Sequence, residues 1–244
     1  MDNVLISFLI TVLAGFSTIL GTFPIFLKKD KDIISKSLLF ASGVMFTVSV
    51  TDLIPESIKC LIDVFYLIPA ILIFFIFFVF GSISSLVIEA KTPKKENNLY
   101  RVGIISMIAI FLHNVPEGIA TFMCSSNNIS LGILMSIAIA LHNIPEGISI
   151  ATPIYYATGS RGKALFYTVI SGFSEILGAI IAFIFLYRFI NNFSLGILYS
   201  FIGGIMIYIS IFELIPEAKK QIKYNYTYFF LGSFVMILTH LLLN

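Results

Sequence analysis

Eight apolar stretches, each close to the ~20 residues that cross a bilayer as a helix, take up most of this 244-residue sequence. They run over about residues 4–27, 36–57, 64–88, 102–124, 129–152, 164–187, 194–217 and 225–243. In hydrocarbon every backbone N–H and C=O must be bonded within the protein, so such stretches fold as helices and bury what polarity they have against one another. Charged residues make up 11% and hydrophobic ones 58%, too little charge to cover a water-soluble domain of this size. The expected fold class is an all-α polytopic membrane protein, one integral domain over residues 1–244 with the lipid bilayer as its solvent. The first span is not expected to be a signal peptide, because Asp2 stands where a basic region would be and no small-residue cleavage site follows.

Lysine and arginine decide the orientation. Lys28, Lys29, Lys31 and Lys36 fall in the first link, Lys91, Lys94, Lys95 and Arg101 in the third, Arg161 and Lys163 in the fifth, and Lys219, Lys220 and Lys223 after span seven. All lie on one side of the membrane, leaving Lys59 and Arg188 on the other. Basic links stay cytoplasmic, which puts both termini outside. A tyrosine cluster, Tyr224, Tyr226 and Tyr228, opens the last and shortest span at interfacial depth. The net charge of +2 rests on these links, and no nucleic-acid partner is expected.

Spans four and five carry the same hexapeptide at their centres, His113-Asn114-Val115-Pro116-Glu117-Gly118 and His142-Asn143-Ile144-Pro145-Glu146-Gly147. Ionisable groups at bilayer depth are costly and mark function by default. On a helix, position i+4 lies ~40° around from position i and i+1 lies ~100° around. Glu117 therefore falls in angle between His113 and Asn114, and Glu146 between His142 and Asn143. Imidazole nitrogen with carboxylate oxygen suits divalent first-row metals such as zinc, and a glutamate with a ligand on each side can bridge two ions. Pro116 and Pro145 deprive the carbonyls of Leu112 and Leu141 of their helical partners, while Gly118 and Gly147 let another helix come close. The plainer alternative is a kinked helix pair with a polar packing network; repetition of the whole set favours metal binding. The two spans run in opposite directions through the polar link 125–128, so both motifs fall at one depth. Glu175, in Ser171-Gly172-Phe173-Ser174-Glu175 of span six, lies at that depth as well and is taken as a further ligand.

Residues 43–59, GVMFTVSVTDLIPESIK, repeat in residues 204–220, GIMIYISIFELIPEAKK. Span two runs outward and span seven inward, so the repeat is inverted, an arrangement typical of alternating-access transporters. This gives a 3+2+3 arrangement of eight transmembrane helices, with spans 1–3 and 6–8 as inverted repeats around spans 4–5. Asp52 and Glu56 then lie toward the outside and Glu213 and Glu217 toward the cytoplasm, either along the ion's path or as plain helix-end charges. His240 reads as an interfacial histidine, Cys60 and Cys124 as incidental, and the phenylalanines of 74–80 as a lipid-facing surface. The basic stretch 91–101 reads as a cytoplasmic connector.

At these residues the chain resembles the ZIP family of divalent metal transporters, and within it the bacterial zinc-uptake branch, ZupT. The likeness covers nearly the whole chain, including Ala157-Thr158-Gly159-Ser160 and Ser171-Gly172-Phe173-Ser174-Glu175. It implies a binuclear centre, with His113, Glu117, His142 and Glu146 at one metal position and Asn114, Glu117, Asn143, Glu146 and Glu175 at the other. Some relatives carry glutamine and aspartate where this chain has His142 and Asn143, so the second position here has one negative charge fewer. The family's histidine-rich cytoplasmic loop is missing, and its frequent dimers make a homodimer possible here too.

The expected function is uptake of a divalent metal, zinc first, through a midplane site by alternating access. Fe2+, Mn2+, Co2+ and Cd2+ fit the same donors. The metal is substrate, and no cofactor or enzyme activity is expected. No Walker A loop for ATP is present. The alternatives are an intramembrane zinc-dependent hydrolase, disfavoured because His-x-x-x-Glu is not His-Glu-x-x-His, and a metal exporter of another class.

Overall fold

The computed structural model of the chain describes residues 2–27, 31–91, 98–185, 191–220 and 225–243. Lys28, Lys29, Lys94, Lys95, Arg188, Lys223 and Tyr224, used above for orientation and interface, lie outside the described residues. The elements are α1 (Asp2–Leu20), a 3-10 turn (Phe23–Phe26), α2 (Lys31–Val48), α3 (Ile54–Ile62), α4 (Leu67–Lys91), α5 (Asn98–Asn127), α6 (Ile129–Thr158), α7 (Arg161–Phe185), α8 (Asn192–Tyr208), α9 (Ile215–Lys219) and α10 (Thr227–Leu243). Among the described residues there is no strand. Seven helices are long and apolar enough to cross a membrane, counting α2 with α3 and α8 with α9 as single rods, and α10 is a shorter apolar helix. The all-α polytopic class expected from sequence is borne out.

The two composite rods share one local device. Each passes from α-helix into a π turn, Ser49–Leu53 in the first and Ile209–Leu214 in the second, just before its proline. Pro55 and Pro216 have no N–H, and their rings press on the carbonyls of Thr51 and Phe212 four residues back. Widening the turn by one residue relieves both problems. Pro116 and Pro145, in contrast, sit inside helices that continue as α-helix through them.

The motif helices are longer than the spans read from sequence, 30 residues each. The expected polar link 125–128 shrinks to Asn128, whose extended backbone breaks the helix and whose side chain accepts from the Leu131 N–H (3.2 Å). At the other end of α6, Gly159 adopts φ 69°, a left-handed cap that glycine takes without a steric cost. Of the connector read over 91–101, residues 92–97 lie outside the described residues, and both ends are helical. Lys91 closes α4, and Arg101 lies within the first turns of α5, nearly buried rather than in a loop.

A core of Leu38, Leu39, Met45, Ile202, Ile205 and Met206 joins α2 to α8. Helix α4 turns Phe75, Ile76, Val79 and Phe80 outward, as a lipid-facing surface requires, but buries Phe74 against Leu61 and Ala70. Helices meet through glycines, and the contacts come in matched pairs. A side chain at Gly43 would strike the Phe229 carbonyl, and one at Gly204 the Phe78 carbonyl. Gly81 lies against the Phe201 carbonyl and Gly232 against that of Phe40. Ser82 donates to the carbonyl of Gly204 (3.1 Å) and Ser233 to that of Gly43 (3.2 Å). Phe40 and Gly43 correspond in the sequence repeat to Phe201 and Gly204; the matched contacts extend that correspondence from Phe78, Gly81 and Ser82 to Phe229, Gly232 and Ser233.

Candidate metal centre

Helices α5 and α6 run side by side and bring the two motifs face to face. His113 Nε2 lies 3.0 Å from Glu117 Oε1 within its own motif, and the same oxygen lies 2.8 Å from His142 Nε2 on the other helix. Glu146 reaches across to His113, 3.6 Å from its Nε2. The rings of His113 and His142 stand 6.3 Å apart at 45°. His113, Glu117 and His142 each present a donor atom within 4.8 Å of the others. All four side chains are buried. Two imidazole nitrogens converging with carboxylate oxygen form a donor set that zinc and its first-row neighbours accept.

Beside this cluster, Asn143 donates to Glu175 Oε1 and to the carbonyl of Ala14 (3.1 Å). Asn114 donates to the carbonyl of Ser171 at 3.5 Å. Asn114 Oδ1, Asn143 Oδ1, Glu117 Oε2, Glu146 Oε2, Glu175 Oε2 and both imidazole Nδ1 atoms are buried with no protein hydrogen-bond partner. Groups left so cost about 1–3 kcal/mol each in an ordinary core. A concentration of them around two histidines and three glutamates is chemistry suited to a cation rather than to packing alone.

The scaffold under the motifs is itself doubled. Residues 11–21, from α1 into the turn that follows it, read TVLAGFSTILG and residues 168–178 of α7 read TVISGFSEILG. A Cβ at Gly147 would collide with the Thr18 carbonyl, and one at Gly118 with the Glu175 carbonyl. Gly21 packs on the Ile144 carbonyl as Gly178 packs on that of Val115, and Gly15 and Gly172 each meet the other's carbonyl. Thr18 thus holds on α1 the place that Glu175 holds on α7. The matching strings carry this pairing in the sequence itself.

A cavity of about 390 Å³ opens from the centre toward Asp52. Glu117, His142, Tyr199, Glu56, Asp52 and His240 are among its lining residues. Asp52 Oδ1 is 2.6 Å from His240 Nδ1, an interaction between the π turn of the first composite rod and α10 that the reading of His240 as merely interfacial had not anticipated. Glu56 is exposed and lies 3.4 Å from Lys59. At the opposite end Glu213 and Glu217 are buried beside a smaller cavity of about 100 Å³, with Glu217 Oε2 held by Lys220 at 2.6 Å. Glu89, Arg101 and Tyr208 also gather there and were not singled out from sequence. Arg101 donates to Glu89 Oε1 (2.7 Å), and the Tyr208 hydroxyl donates to Glu89 Oε2 (2.5 Å).

A multi-pass helical bundle holding a buried nitrogen–oxygen cluster, with a cavity from one end that carries Asp52, Glu56, Glu117, His142 and His240 among its lining residues, is the build of a membrane protein that handles cations. Residues 90–240 match the family described as ZIP zinc transporter. Over its whole length the chain is 36% identical to the zinc transporter ZupT of Clostridium perfringens, spanning 97% of that protein. It is 38% identical to ZupT of Oceanobacillus iheyensis and 38% to ZupT of Akkermansia muciniphila, covering 90% of each chain in both cases. The chain belongs to the ZIP zinc transporter family.

Proposed function

We propose that this protein carries divalent metal ions, zinc first, from the outside into the cytoplasm by alternating access in the plasma membrane. The observation that carries the reading is the buried cluster of His113, Glu117 and His142, the last two of which line the cavity that opens past Asp52. His113, Glu117, His142 and Glu146 hold one ion in this proposal, and Asn114, Asn143 and Glu175 complete a second position, with Glu117 and Glu146 shared between them. The unpartnered oxygens of Asn114, Asn143 and Glu175 support that second position. Fe2+, Mn2+, Co2+ and Cd2+ suit the same donors.

The architecture proposed is eight crossings in a 3+2+3 arrangement, the outer triplets inverted about the motif helices. The matching contacts made by Gly43 and by Gly204, by Gly81 and by Gly232, and by α1 and by α7 support it. Both termini then lie outside, so the Asp52 cavity faces the exterior and the Glu213 end faces the cytoplasm. An ion would exchange part of its hydration shell for protein ligands at the midplane, and rocking of the repeats would uncover the site inward. The match to a transporter family weighs against the hydrolase reading.

The test is zinc-65 uptake into proteoliposomes by the protein and by Glu117→Ala. Glu117 touches both histidines, so its loss should lower uptake at least ~100-fold, beyond the ~10–100-fold typical of groups that only orient ligands. Equal uptake by a correctly inserted variant would make the motif structural and end this reading.

A further inference from the structure

The sequence holds three histidines, and the third lies away from the two motifs. His240, in the last turn of α10, lines the same cavity as Glu117 and His142. Its Nδ1 stands 2.6 Å from Oδ1 of Asp52, in the π turn of the first composite rod. The Thr51 hydroxyl, shared with the carbonyl of Thr47 (2.9 Å), lies 3.2 Å from the other carboxylate oxygen, Oδ2. Asp52 is thus held at both oxygens.

That contact decides which imidazole nitrogen carries the proton. An ionised carboxylate only accepts, so in the neutral ring the proton sits on Nδ1 and the lone pair on Nε2. A carboxylate behind one ring nitrogen is the arrangement that orients metal-binding histidines and raises the basicity of the other nitrogen. The central histidines lack it, since the Nδ1 atoms of His113 and His142 have no hydrogen-bond partner among the described residues.

The surroundings suit a cation. Asp52, Glu56 and Glu117 line the cavity and, among the described residues, no lysine or arginine does. Its volume of about 390 Å³ admits an ion that keeps much of its water, at roughly 30 Å³ for each water molecule. The Asp52 and His240 side chains are both about one-third exposed, so an ion reaches them without unpacking the helices.

We propose that His240 is a metal ligand, binding a partly hydrated zinc ion through Nε2 in the wall of the outer cavity. Asp52 is the positioning residue that holds the ring, and Glu56 of the same wall supplies a further oxygen. This site is separate from the central cluster and is filled before it. An imidazole donor favours zinc, cobalt and cadmium over magnesium and calcium, which take oxygen ligands. That the cavity faces outside rests on the topology proposed above; the binding of the ion does not.

Zinc-65 equilibrium dialysis on the purified full chain tests this, in a Glu117→Ala/Glu146→Ala background that weakens the centre. The background should bind one ion per chain that His240→Gln loses, with affinity falling more than ~100-fold. Asp52→Asn, which removes only the orienting carboxylate, should weaken the same ion by ~10–100-fold. A large excess of Mg2+ should leave the zinc bound. Unchanged binding in His240→Gln overturns the proposal, as does displacement by magnesium, which would mark a site of oxygen donors alone. A contact that only fastens α10 to the rod would lower the melting temperature of both variants while zinc binding stayed at the level of the background, and that too overturns it. Should His240→Gln not fold, binding unchanged in Asp52→Asn overturns the proposal by itself. Failure of the central reading shows separately, as equal zinc binding by the parent chain and the background.

Discussion

Residues 11–21, from α1 into the turn that follows it, and 168–178 of α7 differ at few positions, and their glycines and carbonyls meet the motif helices in matching ways. Yet α7 brings Glu175 to Asn143, while α1 brings Thr18, whose hydroxyl oxygen is buried without a partner. The backbone scaffold is near-symmetric and the chemistry attached to it is not. Packing two helices through glycine depends on backbone shape, which both repeats keep, whereas charge beside the buried cluster depends on one side chain. In the proposed binuclear centre this places the second ion toward α7, leaving α1 as a support.

Removing the charge on α7 should have the larger effect. Glu175→Gln keeps the size of the side chain and should weaken zinc binding by ~10–100-fold, the range for groups close to a metal, with uptake falling in step in the proteoliposome assay. Binding unchanged by this substitution would make α7 no more than a second α1. Next in size are Gly118→Ala and Gly147→Ala. Each forces a Cβ into a facing carbonyl, an overpacking that costs about 1–3 kcal/mol. Thermal unfolding in detergent should show similar losses for the two, and a large difference between them would break the scaffold symmetry.

Asn143→Ala should cost about 1–2 kcal/mol, since it removes bonds to both Ala14 and Glu175, and Asn114→Ala less, since it loses one long bond to Ser171. The same melting experiment ranks them. Smallest of all is Thr18→Ala, expected within about 0.5 kcal/mol of the parent because no hydrogen bond is lost. A marked loss of zinc uptake in that variant would show α1 to be a ligand helix after all.

Much of this could be read from residue order. The span pattern gave seven long apolar helices and the shorter α10, because burying backbone in hydrocarbon leaves the chain no other local choice. The doubled hexapeptide located the central cluster, because i,i+4 geometry already places His113 beside Glu117. What it did not reveal is that Glu117 serves both histidines while Glu146 leans toward His113 rather than its own motif partner. Two hexapeptides that differ only at Val115 and Ile144 cannot predict unequal pairing, since the inequality arises between helices and not within the motif. Residues 125–128 read as a polar link, and in the structure Asn128 alone breaks the helix.

The sequence by itself determined the membrane class, the place of the polar motifs near the middle of their helices, the repeat between the composite rods and the likeness to a transporter family. Each follows from composition, spacing or matching strings, which are local properties of the chain. Only the tertiary structure decided which ends of the rods are paired. It set His240 of α10 against Asp52, Arg101 of α5 against Glu89 of α4, and Glu175 of α7 against Asn143 of α6. Asp52 and His240 lie 188 residues apart and Asn143 and Glu175 lie 32 apart, and even Glu89 and Arg101, 12 apart, belong to different helices. A contact of that kind is created when glycine-lined helices pack closely enough for side chains of different spans to share one small polar space.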